Sequence, residues 1–268
     1  MRNVSDNIEF DAWVHARYNV AFIHLYQTEN LDFGRGYLFE TMNTPFFRRD
    51  NNLILKKHWP SAKSAINVLT EILDKVENEY AYELRAVAYF TIHEIESCID
   101  DYTSALSINP NLWEIYNNRG VAYSNVGRKD LAILDYNTAI RVDANNPTPY
   151  FNRGQSRYFL GNYEGAIEDY EKAIQIEPTD LDFLFAMAFV KERCADFDGA
   201  VNVMTQAIDV CRIEDYEGLL SYFIISEDLH ELRARCREKM GDFNGSNSDY
   251  ERCKSLQESI RKIVSFGE

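Results

Sequence analysis

The chain has 268 residues, 46% apolar, 26% charged and 13% aromatic, with only 12 Gly and 6 Pro; this balance builds a folded core and excludes a disordered, collagen-like or proline-rich polymer. Its 28 basic and 43 acidic side chains leave a net charge of −15, a field that repels phosphate backbones and anionic headgroups, so neither nucleic acid nor a membrane is an expected partner.

The segment from Met1 to Asn7 reaches Glu9 and Asp11 before any apolar stretch forms, which predicts no export signal. No window approaches the roughly 20 apolar residues of a spanning helix, the stretch from Val20 to Tyr26 being short and interrupted by His24. The five cysteines (Cys98, Cys194, Cys211, Cys236, Cys253) are odd in number, widely spaced and without a CxxC pair. They are expected as reduced thiols filling small slots in a cytoplasmic protein.

The first element in chain order is a helix over 8–28 carrying Phe10, Trp13, Tyr18, Phe22 and Tyr26, followed by the turn Phe33-Gly34-Arg35-Gly36 and a short helix. Residues 1–44 are read as a helical N-terminal cap. In 45–78, Ala65, Ile66, Leu69, Ile72 and Leu73 reproduce the second helix of the units that follow, whereas 46–58 makes a poor first helix, so this stretch is a degenerate repeat.

From residue 79 the chain repeats itself every 34 residues. Tyr116-Asn117-Asn118-Arg119-Gly120 returns as Tyr150-Phe151-Asn152-Arg153-Gly154, and Gly127, Ala132, Asp135, Tyr136 and Ala139 return as Gly161, Ala166, Asp169, Tyr170 and Ala173. The frame extends back to Tyr82, Ala86, Tyr89, Cys98 and Tyr102 and forward to Leu184, Ala188, Phe197, Ala200 and Met204, giving four units over 79–214. In each unit the large and small apolar residues share one face of two successive helices. Gly127 and Gly161 are placed to end first helices, and Pro110 and Pro178 to close second helices. Residues 215–226 are an insertion, expected to add helical turns or a short separate helix with Ser226 as a candidate N-cap. A fifth unit follows in 227–268 at Ala234, Gly241, Phe243, Ser246 and Tyr250, its last helix running from about 243 to 264 as a cap.

Tyr116, Arg119-Gly120, Tyr123, Ala132 and Tyr136 resemble the tetratricopeptide repeat, whose pattern is W-x2-L-G-x2-Y followed by A-x3-F and P. The resemblance implies an all-α superhelical solenoid of antiparallel helix pairs and a role in binding other proteins. It also implies that the first-helix stripe not used for packing lines a concave groove. Here that stripe carries Glu83, Leu84 and Val87, then Asn117, Asn118 and Val121, then Phe151, Asn152, Gln155, Tyr158 and Phe159, then Phe185, Phe189 and Glu192. The peptide-binding candidates are Asn117, Asn118, Phe151, Asn152, Gln155, Tyr158, Phe159, Phe185 and Phe189. Asparagine carboxamides both donate and accept, as an extended backbone requires, and the aromatics would form side-chain pockets; the competing role for the aromatics is packing between repeats. Some tetratricopeptide domains clamp acidic chaperone tails with lysines, an arginine and two asparagines. The corresponding places here hold Glu83, Val87, Asn118, Thr148 and Asn152, so only Asn118 matches that clamp.

Two charges travel together through the repeats: Arg85, Arg119, Arg153 and Arg233 are each followed after 16 residues by Asp101, Asp135, Asp169 and Asp249. Where the arginine becomes Met187, the aspartate becomes Val203, which predicts pairing within a repeat. The histidines are scattered, His93-Glu94 lacks the second histidine of a zinc-binding helix, and no nucleophile elbow or phosphate-cradling loop occurs. No catalytic residue, metal site or cofactor is predicted. The expectation is a non-catalytic scaffold or adaptor holding an extended, neutral to basic protein segment. The alternative is a peptide-sensing signalling receptor whose superhelix changes shape on binding.

Overall fold

The computed structural model describes residues 62–213 and 220–265, with side chains described over 62–210 and 229–258, Ser64 excepted. The described residues are helical throughout, with no strand among them: α1 (Ala62–Leu73), α2 (Glu79–Thr91), α3 (Ile95–Ile108), α4 (Trp113–Asn125), α5 (Lys129–Val142), α6 (Pro147–Phe159), α7 (Tyr163–Ile176), α8 (Leu181–Arg193), α9 (Phe197–Ile213), α10 (Leu220–Met240) and α11 (Phe243–Ser265). The expected N-terminal cap and the first helix of the degenerate repeat lie outside the described residues. The chain divides into two compact units, one ending at Ala144 and one beginning at Asn145.

Each helix pair is punctuated the same way. First helices end on a residue with positive φ, Gly127 (79°), Gly161 (79°) and Gly241 (82°), and His93 (63°) and Ala195 (61°) hold that conformation at the same place without being glycine. At these ends the chain closes as Schellman turns: Gly127 N–H donates to Ser124 O at 3.1 Å and Arg128 N–H to Tyr123 O at 2.8 Å. Second helices in the latter unit start on short acceptors at the N-cap place: Asn162, Asp196 and Asp242 accept the backbone N–H of Gly165, Gly199 and Gly245.

In the unit ending at Ala144, the small residues Ala86, Cys98, Ala105 and Ala122 admit Tyr102, Leu106 and Ile115 into one buried cluster. A second cluster joins Ala65, Leu69 and Ile72 of α1 to Ala81, Leu84 and Ala88 of α2, so the second helix of the degenerate repeat packs as the frame predicts. In the unit from Asn145, Phe151, Ala166, Tyr170, Ala173, Phe183 and Met187 form one core cluster, and Leu184, Ala200, Met204, Leu229 and Cys236 belong to another.

The insertion adds helical turns, because α9 extends to Ile213 and α10 already begins at Leu220. Ser226 therefore lies inside α10 rather than at its start, a correction to the sequence expectation: the helix runs unbroken from Leu220 through the serine into Leu229 and Leu232. Cys98, Cys236 and Cys253 are buried, but Cys194 is exposed at the end of α8 and fills no slot.

The arginine–aspartate pairs lie within repeats. Arg119 donates from Nε and Nη2 to the two oxygens of Asp135, both at 2.8 Å, and Arg85 grips Asp101 at 2.8 and 2.7 Å in the same bidentate way. Arg153 pairs with Asp169 and Arg233 with Asp249. In the repeat without the charges, Met187 is buried and Val203 packs against its cluster, so an apolar contact stands where the other repeats hold an ion pair. Arg85 and Arg119 also lie over flanking tyrosine rings, Tyr82 and Tyr89, and Tyr116 and Tyr123, at 5.7 to 5.9 Å.

Candidate functional site

The nine residues expected to bind a peptide separate into two classes once placed. Asn117 and Asn118 belong to the unit ending at Ala144, where both are buried and the Asn117 carboxamide donates to that of Asn118 at 3.4 Å. Phe151, at 0% exposure, is a core residue: its ring lies 4.9 Å from Phe183 and 5.6 Å from Tyr170. It is not available as a side-chain pocket. Asn152 is 3% exposed and equally enclosed. These four residues share the first-helix stripe by spacing, but all four are buried rather than open to a ligand.

The other five remain at or near the surface of the second unit. Phe159 is 56% exposed and Phe189 37%, while Gln155, Tyr158 and Phe185 are half-buried. Phe185 leans on the core cluster of α8 to α10. Tyr158 is the hub, with ring centroids 5.5 Å from Phe159, 5.4 Å from Tyr163 and 5.8 Å from Phe189. The result is an aromatic ledge spanning α6 and α8, stiffened by ring contacts and open on one side. Leu160, also exposed, extends it at the end of α6.

Charge sits beside this ledge. Arg193, the last residue of α8, is exposed and donates to the Tyr163 side chain, which raises its pKa. On the stripe of the first unit the charge is opposite: burial, and then the nearby Glu114 carboxylate, push Glu83 up to about 7. Among the described residues no group of three His, Cys, Asp or Glu side chains is arranged to hold a metal ion. None of the described helices is long and apolar enough to cross a membrane.

Two contacts escaped the sequence reading. The third grip of three of the arginines reaches back one repeat: Arg119 Nη1 donates to Thr103 Oγ1 and Arg85 Nη1 to Thr70 Oγ1, both at 3.0 Å, and Arg233 Nη1 to Thr205 Oγ1 at 3.1 Å. Thr103 and Thr205 share a repeat place, but the two repeats between them hold Asn137 and Glu171 there, so no constant hydroxyl marks the contact. In addition, Arg157 and Arg237, where other repeats carry tyrosine or lysine, add a second cation to Asp169 and Asp249 at 3.0 and 2.8 Å and also bond the Gly165 and Gly245 carbonyls.

Comparison with known proteins agrees with the repeat frame. The tetratricopeptide repeat family model matches residues 113–146 and 147–180. A search of the curated proteins finds no significant match. Among solved structures, the chain is similar to MamA residues 41-end from Desulfovibrio magneticus RS-1, at TM-score 0.57 and 14% identity, covering 69% of this chain and 98% of that one. It is similar to YrrB, described as a TPR protein with an unusual peptide-binding site, at TM-score 0.56 and 14% identity over 74% and 97% of the two chains. A tetratricopeptide repeat protein from Parabacteroides merdae ATCC 43184 matches at TM-score 0.52 and 18% identity, over 76% and 91%. Residues 113–180 thus carry two tetratricopeptide repeats, and the described helix pairs have the all-α solenoid fold of tetratricopeptide repeat structures.

Proposed function

We propose that the chain is a non-catalytic scaffold or adaptor that holds an extended peptide segment along the first-helix stripe of its second unit. The observation that carries this reading is the aromatic ledge of Tyr158, Phe159 and Phe189, large apolar side chains left exposed on the face that tetratricopeptide repeats leave free. Gln155 adds a carboxamide at the same surface, able to donate to and accept from a peptide backbone. Aromatic anchors of this kind supply much of the binding energy of a small interface. The peptide-binding site named for YrrB lends the reading a precedent in a protein of the same fold. Phe151, Asn117, Asn118 and Asn152 serve packing in this reading, and their substitution should cost stability before affinity.

The net charge of −15 favours arrival of a segment that is neutral to basic overall, by steering rather than by contact. A library of random short peptides selected on the full chain, with fluorescence anisotropy on the tightest peptide, tests the site. Phe159→Ser with Phe189→Ser should weaken that peptide by about tenfold or more, equivalent to about 1.4 kcal/mol, without lowering the melting temperature. Unchanged affinity in the double variant would place binding elsewhere.

A further inference from the structure

The aromatic ledge does not end in neutral surface. Two rows run along the exposed stripe of the second unit, one residue per first helix: Gln155, Phe189 and Arg235 in one, Phe159, Arg193 and Lys239 in the other. In the preceding repeats the same places hold Val87 and Val121, and Thr91 and Asn125, so cations enter these rows only on α8 and α10.

Arg235 and Lys239 are 45% and 52% exposed. Beneath them lies Glu192, whose side chain is 11% exposed, with its oxygens 3.9 Å from Arg235 Nη2 and 3.6 Å from Lys239 Nζ. Those distances are ion pairing without short hydrogen bonds, so Glu192 gathers the two cations without a short hydrogen bond to either. Glu231 approaches Arg235 at 3.8 Å from its own helix, and Lys239 rests 5.0 Å over the Phe197 ring, which fixes its stem. Arg193, next to Glu192 in the chain, is tied to Tyr163, which itself touches Tyr158. Arg235 and Lys239 form a pair of exposed cations on a strongly acidic chain, with Glu192, Glu231 and Glu238 near them, and Arg193 is joined through Tyr163 and Tyr158 to the exposed rings of Phe159 and Phe189.

We propose that this surface recognises an acidic side chain of the bound segment, its carboxylate held by Arg235 and Lys239 with Arg193 adjoining, while a large apolar side chain of the same segment rests on Phe159 and Phe189. The inference rests on the peptide-binding reading and adds the chemistry of the occupant: an Asp or Glu close in sequence to an aromatic or long aliphatic residue, within a segment that is otherwise neutral to basic. Arginine's planar fork suits a bidentate carboxylate, and the lysine adds a point charge beside it.

Peptides selected from a random library on the full chain test this. Enrichment of an apolar residue near an Asp or Glu is expected. The tightest peptide should lose about tenfold or more in affinity on Arg235→Gln with Lys239→Gln, and its Asp→Asn or Glu→Gln counterpart should bind wild type and variant alike. Wild-type binding should also weaken with added salt more steeply than that of the variant. Both side chains are exposed, so the variant is expected to fold, with circular dichroism as the check. Selected peptides without carboxylates, or equal affinity for wild type and charge variant while Phe159→Ser still weakens binding, would overturn the carboxylate assignment and leave the groove reading standing. A folded chain that selects no peptide would overturn both.

Discussion

The ring of Tyr136 occupies the space that a side chain on Gly120 would need: a Cβ there would lie 2.6 Å from Tyr136 Cε1 and 2.9 Å from Cδ1. The same holds for Gly154 and Tyr170 in the next repeat. Each glycine is a notch in a first helix, and each tyrosine is the knob from the second helix that fills it. Tyr136 is 2% exposed, so its ring has nowhere to retreat. Gly120→Ala should therefore destabilise by about 1–3 kcal/mol from overpacking, offset by up to about 1 kcal/mol of helix propensity. Urea unfolding measures the balance. Gly120→Ala with Tyr136→Leu should recover part of the loss, and a single variant as stable as wild type would show that the helices slide apart freely.

The two central arginines should differ in what they cost to remove. Arg119 is the cation bonded to Asp135, whereas Asp169 is held by both Arg153 and Arg157. Leaving a buried charge without its partner typically costs about 3–5 kcal/mol. Arg119→Met should approach that range, and Arg153→Met should cost clearly less because Arg157 remains on the carboxylate. Pairing Arg119→Met with Asp135→Val should restore much of the stability, as Met187 and Val203 do in the fourth repeat. Equal losses for the two single variants would deny Arg157 any share in the site.

The repeat frame was legible because it is written in residues that have no alternative role: Gly120 and Gly154 as notches, Gly127 and Gly161 as turn residues, Ala132 and Ala166 as close-packing faces. Arg119 and Asp135 were legible as a pair because both vanish together at Met187 and Val203. Their threonine partner was not, since Thr70 stands 15 residues before its arginine, Thr103 16 and Thr205 28, the last displaced by the insertion. The stripe was legible only as a stripe. Spacing assigns Phe151 and Phe159 to adjoining faces two turns apart, but whether a ring is covered depends on the neighbouring repeat, and Phe183 is what covers Phe151. The cations of α10 were hidden for another reason: the insertion shifts their frame, so Arg235 and Lys239 align with Phe189 and Arg193 only after its length is subtracted.

Ala195 offers a gain in stability. It ends α8 at φ 61°, where Gly127, Gly161 and Gly241 do the same work without a Cβ. The left-handed conformation costs a residue with a Cβ about 1–2 kcal/mol, while a new glycine adds entropy to the unfolded chain. Ala195→Gly should stabilise by about 0.5–1 kcal/mol net, read as a higher urea midpoint at unchanged slope. A decrease would mean that the alanine methyl makes a packing contact worth more than the strain.

Stability should also depend on pH through Glu83. Burial raises its carboxyl from 4.5 to about 7, with Glu114 adding to the rise, so the folded state binds the proton more tightly than the unfolded chain does. The stabilisation this brings is complete below about pH 4.5, falls away as pH rises towards about 7, and is absent above that. At about 1.36 kcal/mol per unit, the upper limit is about 3 kcal/mol, and Glu83 is half-buried, so water reduces it. Glu83→Gln keeps the shape and the hydrogen-bonding capacity but cannot ionise. It should match wild type near pH 4.5 and exceed it by about 1–3 kcal/mol near pH 8, with the difference growing between those limits as the wild-type carboxyl is forced to charge. Urea unfolding across this range compares the two chains directly, and a stability difference that does not change with pH would show that water reaches the Glu83 carboxylate in the folded state.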